Sequence, residues 1–211
     1  MYVDIHTHQV PKTDSFAIQN LTILEAKTIL TTEKQGYFSV GCHPWFIEQS
    51  TEQTLEQIKN WTMDLRTVLI GECGLDKNSN VPFQTQVTVF EKHIEFSEKA
   101  KKPLIIHCVG SFNELFEIKR RLKPTQLWII HGFRGKPELA KQALKLNCAL
   151  SFGLHYNPES VKITPLEKIY IETDESSINI VDLYQQISII KTCKVEDLFA
   201  GKRLIECHQL K

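Results

Sequence analysis

The sequence predicts an α/β protein, a TIM-like (β/α) barrel of parallel strands covered by helices. Short apolar runs alternate with longer amphipathic segments through most of the chain, which is typical of a parallel sheet packed against helices. Polar side chains with metal-binding chemistry follow one predicted strand after another, and the strand ends of such a barrel meet on one face. A chain of 211 residues without repeats or linkers predicts a single domain over residues 1–211.

The overall charge and the cysteine pattern argue against several classes of protein. Lysine plus arginine equals aspartate plus glutamate at 25 each, so the chain as a whole does not attract nucleic acid. Any basic patch that binds nucleic acid must therefore be local. The six cysteines are widely spaced and form no C-x-x-C pair, which argues against a disulfide framework and against a zinc ribbon.

The N-terminal segment lacks the composition of a signal peptide. Asp4 and His6 stand where a basic region and an apolar run would be needed. No apolar stretch of the sequence reaches the length of a membrane-spanning helix. We therefore expect a cytoplasmic protein that does not insert into membranes, and no obligate protein partner is evident.

The first half of the chain alternates strands with helical segments. Apolar runs that end at turn residues predict strands at residues 2–6, 16–24, 37–43 and 67–73. No helical pattern fits between the first two strands, so a loop at residues 11–15 is expected to join them. A partly helical polar segment reaches about residue 35, and the apolar spacing of Leu55, Ile58, Trp61 and Leu65 predicts a helix over residues 54–65.

The second half continues the same alternation. A loop at residues 77–82 precedes a long helix predicted over residues 83–101. Ser111 and Glu114 have the spacing of a capping box and predict a helix to about Leu122, and Pro137 opens another helix to about Leu146. Strands are predicted at residues 103–107, 127–131, 148–152 and 168–174, and helices at residues 181–191 and 195–207.

Imidazole and carboxylate groups stand at or near the ends of most predicted strands. These groups are His6, His8, His43, Glu72, His107, His131 and Asp174. Side chains alternate along a strand, so Asp4, His6 and His8 can point to the same side. Taken singly, each histidine could be a hydrogen-bonded surface residue and each carboxylate a helix cap. The joint pattern favours a metal site, whereas His93, His155 and His208 fall in helices or loops and are interpreted as structural or surface residues.

Four histidines and two carboxylates have the chemistry of a divalent metal site. They suit Zn²⁺, Mn²⁺, Co²⁺ or Fe²⁺, and Mg²⁺ less well. Six ligands are too many for one tetrahedral zinc ion but fit two ions that share a carboxylate. Two such ions activate a water molecule and clamp both oxygens of a hydrolytic displacement, while a nearby carboxylate accepts the proton of the water.

Seven motifs give the chain a resemblance to the TatD family of metal-dependent hydrolases, a branch of the amidohydrolase superfamily. In order they are Asp4-Ile-His-Thr-His8, Gly41-Cys-His-Pro44, Gly71-Glu-Cys-Gly-Leu-Asp76, Gln86-x-x-x-Phe90, Leu104-Ile-Ile-His107, Ile130-His-Gly-Phe-Arg-Gly135 and Ile171-Glu-Thr-Asp174. The set covers most of the chain, and although each motif alone is weak, the set is highly specific.

The resemblance implies a phosphodiesterase with two metal ions, in several family members a deoxyribonuclease. By analogy His6, His8 and Asp174 would hold one ion and His107 and His131 the other, with Glu72 shared between the ions. Asp174 would also orient or deprotonate the attacking water, and His43 would contact a substrate phosphate. Asp76 would support the loop after Glu72 from outside the ligand set, although a turn-capping aspartate is an equal alternative.

The chain departs from the family pattern at four places. The helix between the first two strands is missing and the chain is short, so the barrel is expected to be incomplete or distorted there. Val109 replaces an arginine usually found two residues after the histidine of strand five, and Arg134 is a candidate to compensate. After Asp174 the chain lacks both the usual proline and a following Asn-Glu-Pro-like segment. These departures affect the substrate rather than the metal ligands.

Some neighbouring residues have two interpretations. Trp45 could stack on a nucleic acid base, or it could simply pack on the rim together with Phe46. Cys42, Cys73 and Cys108 each adjoin a candidate site residue, but adjacent residues on a strand face opposite sides, so they are expected to point away from the site.

The leading hypothesis is thus a metal-dependent hydrolase of ester bonds, expected to be a deoxyribonuclease that acts on DNA or an enzyme that acts on a small phosphoester. One alternative is a hydrolase of a small-molecule ester, amide or phosphate. Another is an inactive metal-stabilised binding protein, against which the complete ligand set argues.

Overall fold

A computed structural model describes residues 2–9, 16–32, 35–47 and 52–209. Within these residues eight parallel strands follow one another in sheet order β1 to β8. They are β1 (Val3–Thr7), β2 (Phe16–Leu21), β3 (Tyr37–Val40), β4 (Thr67–Asp76), β5 (Leu104–Val109), β6 (Trp128–Ile130), β7 (Ala149–Phe152) and β8 (Ile169–Ile171).

Helices follow most of these strands. They are α1 (Ile23–Thr32), α2 (Glu52–Trp61), α3 (Phe83–Ala100), α4 (Phe112–Leu122), α5 (Pro137–Lys145), α6 (Pro158–Ile163), α7 (Ile180–Lys191) and α8 (Ala200–Gln209), with 3₁₀ turns at Leu166–Lys168 and Val195–Asp197. The strand order and the alternation with helices confirm the predicted α/β class and the TIM-like (β/α) barrel.

The chain forms two compact units, which we call the terminal unit and the central unit. The terminal unit comprises Met1–Gln19 and Ile129–Lys211, and the central unit comprises Asn20–Trp128. The prediction of a single domain over residues 1–211 stays a prediction. The predicted loop at residues 11–15 lies outside the described residues, although β1 ends at Thr7 and β2 already begins at Phe16.

The central unit is built on β3, β4 and β5, which pair in parallel. Strand β4 is buried along its whole length. The close approach of β4 to its neighbours depends on glycine. A Cβ atom at Gly41 would lie 2.5 Å from the Gly71 Cα, and one at Gly74 would lie 2.0 Å from the His107 carbonyl oxygen. These glycines bring the backbone on either side of Glu72 directly against β3 and β5.

The terminal unit pairs β1 with the start of β2, and β7 with β8. Helix α8 approaches β1 closely, since a Cβ atom at Gly201 would lie 3.1 Å from the Val3 Cβ atom. The Tyr184 hydroxyl on α7 donates to the Val3 carbonyl over 3.0 Å. Strand β1, which carries the candidate metal ligand His6 and ends one residue before His8, is therefore anchored by buried contacts.

The boundary between strand β2 and helix α1 differs from the sequence prediction. Strand β2 was expected to continue to residue 24, but α1 begins at Ile23, because Thr22 and Glu25 form a capping box. The Glu25 carboxylate accepts the Thr22 N–H at 2.8 Å, and the Thr22 hydroxyl accepts the Glu25 N–H at 3.3 Å. Such reciprocal bonds satisfy the first donors of a helix.

The capping box predicted at Ser111 is wrong. Ser111 does occupy the N-cap of α4, but its side chain makes no capping bond there. Its hydroxyl instead donates to the Val109 carbonyl at 3.0 Å, and the Glu114 carboxylate pairs with Lys77.

Helix α6 was not predicted. The Asn157 side chain caps it by accepting the N–H groups of Glu159 and Ser160, and Pro158 occupies its first turn. No helix in the described part of the chain has the length and apolar character needed to cross a membrane.

Candidate metal sites

Three predicted ligands come together in the terminal unit, and we call them the terminal cluster: His6, His8 and Asp174. The Nε2 atoms of His6 and His8 lie 3.6 and 3.5 Å from the same oxygen, Asp174 Oδ1. The His6 side chain is fully buried, whereas His8 and Asp174 are partly exposed. One face of the cluster is therefore open to solvent, as a hydrolytic site requires.

Backbone hydrogen bonds align the terminal cluster. The Asp174 N–H donates to the His6 carbonyl at 2.9 Å, and the His8 N–H donates to the Asp174 carbonyl at 3.2 Å. Asp174 has a φ of 55°, a left-handed conformation that aspartate tolerates better than most residues. Asp174, three residues beyond the end of β8, thus pairs with Thr7 of β1, and three candidate ligand atoms converge.

The spacing of these atoms fits a shared ion. Two ligands bonded to one divalent ion at about 2.1 Å lie roughly 3.0–3.4 Å apart, and the Nε2 to Oδ1 distances of 3.6 and 3.5 Å are close to this range. They are too long for good hydrogen bonds. Two imidazoles and a carboxylate are also a common ligand set for Zn²⁺ and related ions.

His131 follows β6 and lies beside Glu172, which sequence reasoning did not single out. The Glu172 Oε1 atom lies 3.3 Å from His131 Nδ1 and accepts the Gly132 N–H at 2.6 Å. Burial raises the pKa of Glu172, but the charges of His131 and His6 and the hydrogen bonds outweigh burial and hold that pKa below its usual range. A carboxylate on Nδ1 makes Nε2 the metal-binding nitrogen of the ring.

Asp4 is the first residue of the first motif, but its carboxylate binds Thr173 rather than occupying a candidate metal-ligand position. Its two oxygens accept the Thr173 N–H at 3.0 Å and the Thr173 hydroxyl at 2.6 Å. Burial raises its pKa to about 6, despite these bonds. Asp4 therefore joins β1 to the segment that carries Asp174.

The central unit holds a second group, the central cluster: His43, Glu72 and His107. Glu72 Oε1 lies 3.4 Å from His43 Nε2 and 2.9 Å from His107 Nδ1. The two imidazole rings have centroids 4.4 Å apart. Glu72 is buried and both histidines are mostly buried, so the carboxylate is well shielded from solvent.

His107 lies between two carboxylates. Its Nδ1 faces Glu72, and its Nε2 lies 3.0 Å from Asp76 Oδ2. A neutral imidazole has one N–H and can donate to only one of these oxygens. A cation at Nδ1 would satisfy the contact with Glu72, so the arrangement fits a metal held by Glu72 and His107.

Asp76 plays both of the roles that the sequence left open. Its Oδ2 contacts His107, while its Oδ1 accepts the Asn78 N–H at 2.8 Å and so caps the turn. Burial raises the pKa of Asp76, but the hydrogen bonds from His107, Asn78 and Trp45 outweigh burial and hold that pKa below its usual range. Gln86 clamps the same segment, because its side chain bonds both the N–H and the carbonyl of Asp76.

Two further residues position the backbone near the central cluster: Asn20, which the sequence did not single out, and His93, which it interpreted only as a structural or surface residue. Asn20 Oδ1 accepts the Glu72 N–H and the Ser39 hydroxyl, both at 2.9 Å. His93 Nε2 accepts the N–H of Cys42, the residue that precedes His43 in the chain, at 3.0 Å. Neither had a signal in the sequence, because both act on residues far away along the chain.

The predicted substrate contacts lie near these clusters. Arg134 and Asp174 both line a cavity of about 280 Å³ in the terminal unit. Trp45 is 53 % exposed and belongs to the central unit, where its backbone N–H donates to His43 Nδ1 at 3.1 Å.

Cys42 and Cys73 are buried, and burial raises the pKa of the Cys73 thiol well above its usual value, as expected of structural cysteines.

Known proteins with similar sequences include two named nucleases and a bacterial hydrolase. The chain is 32% identical over 157 residues to the human 3'-5' RNA nuclease TATDN2, and this alignment covers 69% of this chain and 21% of that protein. It is 30% identical over 162 residues to YabD of Bacillus subtilis, named as an uncharacterized metal-dependent hydrolase. This alignment covers 72% of this chain and 64% of YabD. The chain is 25% identical to the 3'-5' ssDNA/RNA exonuclease TatD of Erwinia billingiae, and this alignment covers 69% of this chain and 60% of that protein. The chain spans less than two thirds of the length of these relatives.

Solved structures show the same fold. The TatD homologue YJJV from Escherichia coli has a TM-score of 0.80 at 16% identity, covering 97% of this chain and 95% of that chain. A TatD family hydrolase from Entamoeba histolytica has a TM-score of 0.74, also at 16% identity, covering 95% and 96%.

The family profile described as TatD related DNase matches residues 4–179. That span contains every residue of the terminal and central clusters. The chain belongs to the TatD family.

Proposed function

We propose that the chain is a divalent-metal-dependent hydrolase that cleaves phosphodiester bonds in nucleic acid, with DNA as the first candidate substrate. The single observation that carries the proposal is the convergence of His6 and His8 on Asp174 Oδ1 at 3.6 and 3.5 Å. The nuclease names of TATDN2 and of the Erwinia TatD protein support a nucleic acid substrate.

The proposed metal ligands are the imidazoles and carboxylates that the sequence predicts. His6, His8 and Asp174 would hold one ion, whereas Glu72 and His107 offer ligands in the central unit and His131 in the terminal unit. The sharing of Glu72 between two ions stays a prediction. Bound divalent ions would acidify the attacking water and polarise the phosphoryl oxygen.

Asp174 is the proposed base. It is partly exposed, so solvent reaches it, and a carboxylate within hydrogen-bond reach of a water molecule can accept its proton during attack. The Asp174 backbone is fixed by its bonds to His6 and His8, which keeps the carboxylate in position. Orientation of this kind lowers the entropic part of the barrier.

His43 is proposed to donate a hydrogen bond to a substrate phosphate. Its Nδ1 accepts the Trp45 N–H at 3.1 Å, so the proton of the neutral ring lies on Nε2. A nitrogen that carries a proton suits a phosphate oxygen better than a metal ion. Arg134 is proposed as a second phosphate contact, because a guanidinium matches phosphate geometry.

A second candidate function is hydrolysis of a small phosphoester or other small-molecule ester. The cavity of about 280 Å³ beside Asp174 favours it, because its lining combines Arg134 with Leu154 and Tyr156. A compact pocket of this composition could bind a single small ligand.

The test compares substrates and metal states on the purified protein. Metal-stripped protein is reloaded with Mn²⁺ or Zn²⁺ and offered single-stranded DNA, RNA, a model phosphodiester, a phosphomonoester and a carboxylic ester. We expect metal-dependent cleavage of DNA or of both nucleic acids, abolished in Asp174→Asn and retained in Asp182→Asn, an exposed acid on α7. Cleavage of the small esters alone would favour the second candidate. Full activity in the stripped protein would refute both.

A further inference from the structure

We propose that Trp45 is a positioning residue that orients both histidines of the central cluster, His107 through Asp76 and His43 through the backbone N–H of Trp45. The inference rests on the proposed function only where it predicts catalysis. Its structural part concerns hydrogen bonds within the central unit.

The side chain of Trp45 acts through Asp76. The indole N–H donates to Asp76 Oδ2 at 2.6 Å, and the same oxygen lies 3.0 Å from His107 Nε2. The indole bond holds the Asp76 carboxylate in the orientation in which Oδ2 faces His107 Nε2. This contact orients the His107 ring so that its Nδ1 faces Glu72 Oε1 at 2.9 Å.

The backbone of Trp45 acts directly on His43. Its N–H donates to His43 Nδ1 at 3.1 Å, which leaves the proton of that ring on Nε2, 3.4 Å from Glu72 Oε1. The two rings thus face the same oxygen of Glu72, His107 through Nδ1 and His43 through Nε2. The orientation of both rings therefore depends on contacts with Trp45.

The local structure holds Trp45 in place. A turn bond from the Phe46 N–H to the His43 carbonyl spans 2.9 Å, and the Ser79 hydroxyl donates to the Pro44 carbonyl at 3.1 Å. The Trp45 ring remains 53 % exposed. Core packing does not account for a tryptophan with this exposure, whereas the short bond to Asp76 does.

The competing explanation is that Trp45 only packs on the rim. Phe46 provides the matched control, because it is 52 % exposed and its ring centroid lies 5.6 Å from that of His43. Phe46→Leu removes an exposed ring beside His43 without removing a side-chain N–H. Trp45→Phe keeps a ring and removes only the donor to Asp76.

The first measurement uses ¹⁵N NMR of histidine side chains in the full-length protein, without metal and with Zn²⁺. We expect the ring ¹⁵N signals of His107 to be alike in the wild type and in Phe46→Leu, and to change in Trp45→Phe. Asp76→Asn should shift the indole N–H signal of Trp45, which the loss of that signal in Trp45→Phe identifies. Unchanged His107 signals in Trp45→Phe would overturn the proposal.

The second measurement is Zn²⁺ and Mn²⁺ affinity by calorimetry. Loss of a group that orients a metal ligand lowers affinity about 10–100-fold, so we expect roughly a tenfold loss in Trp45→Phe and a larger loss in Asp76→Asn. Phe46→Leu should stay close to wild type. Equal affinities in Trp45→Phe and Phe46→Leu would also reject the proposal.

The third measurement separates this inference from the proposed function. In Trp45→Phe we expect kcat to fall with metal loading while KM changes less. Absence of any hydrolysis in the wild type would refute the proposed function, yet the NMR signals of the metal-free protein would still decide the role of Trp45. A thermal unfolding curve for each variant identifies any loss of fold.

Discussion

The backbone N–H of Asp174 donates to the carbonyl of His6 over 2.9 Å. This bond holds the backbone of Asp174 beside that of His6, from which two of the candidate ligands in the terminal cluster project. The side chain of Asp174 can therefore be altered while the backbone that presents it stays in place.

Asp174→Asn tests whether the side chain of Asp174 can be altered without disturbing the backbone that presents it. The amide cannot accept a proton from water, and it is a weaker metal ligand than a carboxylate. We expect kcat to fall by about 10²–10⁴-fold, with little change in the thermal unfolding midpoint of the metal-free protein. Substantial activity, or a collapse of the metal-free fold, would contradict this assignment.

Glu172→Gln tests the carboxylate behind His131. The glutamine can still accept the Gly132 N–H, but it carries no charge to hold the His131 ring. We expect metal affinity to fall about 10–100-fold, as measured by calorimetry. Glu175→Gln, at an exposed position nearby in the sequence, serves as the control and should bind metal as the wild type does.

His93 predicts a pH dependence of stability. Burial lowers its pKa from 6.5 to about 4, and in the folded protein Nδ1 contacts the Val89 carbonyl at 2.8 Å while Nε2 accepts the Cys42 N–H. As the pH drops from about 6.5 to 4, the unfolded chain binds a proton at this residue and the folded chain does not. This group should therefore lower the free energy of unfolding by up to about 3 kcal/mol across that window.

Urea unfolding of His93→Gln measures this contribution. The glutamine can accept the Cys42 N–H but does not titrate, so the difference in unfolding free energy between near-neutral pH and about pH 5 should be smaller than in the wild type. An identical pH dependence in the two proteins would show that His93 does not contribute to it.

Gly74→Ala tests the close approach of β4 to β5. A Cβ atom there would lie 2.0 Å from the His107 carbonyl oxygen, at a φ of 147°. We expect a loss of more than about 3 kcal/mol in unfolding free energy, or failure to fold. Gly110→Ala is the control, since its φ is 64° and its nearest neighbour would be 3.5 Å away, so it should cost about 1–2 kcal/mol. Equal losses would show that crowding at His107 is not the cause.

Metal removal should lower thermal stability. An ion that binds only the folded chain stabilises it by about 2.7 kcal/mol at a concentration 100 times its Kd. We therefore expect a chelator to lower the unfolding midpoint, and re-addition of Zn²⁺ or Mn²⁺ to restore it. The shift should shrink in Asp174→Asn and persist in Asp182→Asn, as measured by calorimetric scans.

The sequence predicted the strand order and the residues of both clusters because these depend on local patterns. A histidine at the end of an apolar run can be recognised without knowing its neighbours in space. Helix α6 and the capping box at Thr22 also had local signals, in Asn157-Pro158 and in the spacing of Thr22 and Glu25, but both interrupt segments that otherwise resemble loop or strand.

The supporting residues could not be predicted in this way. Asn20 reaches Glu72 and His93 reaches Cys42 only because strands and helices bring distant segments together. The double role of Asp76 depends on which of its oxygens faces His107 and which faces Asn78. Such choices follow from tertiary packing, which a single sequence does not reveal.

The division of the chain into a central and a terminal unit has a consequence for the order in which the clusters assemble during synthesis. His43, Glu72 and His107 lie within one continuous stretch, Asn20–Trp128, so the central cluster can form while later residues are still being translated. His6 and His8 leave the ribosome first, but the terminal cluster cannot form until Asp174 has also been synthesised. The nascent chain therefore completes its proposed base last, and translation that stops before residue 174 yields a polypeptide that lacks the Asp174 carboxylate.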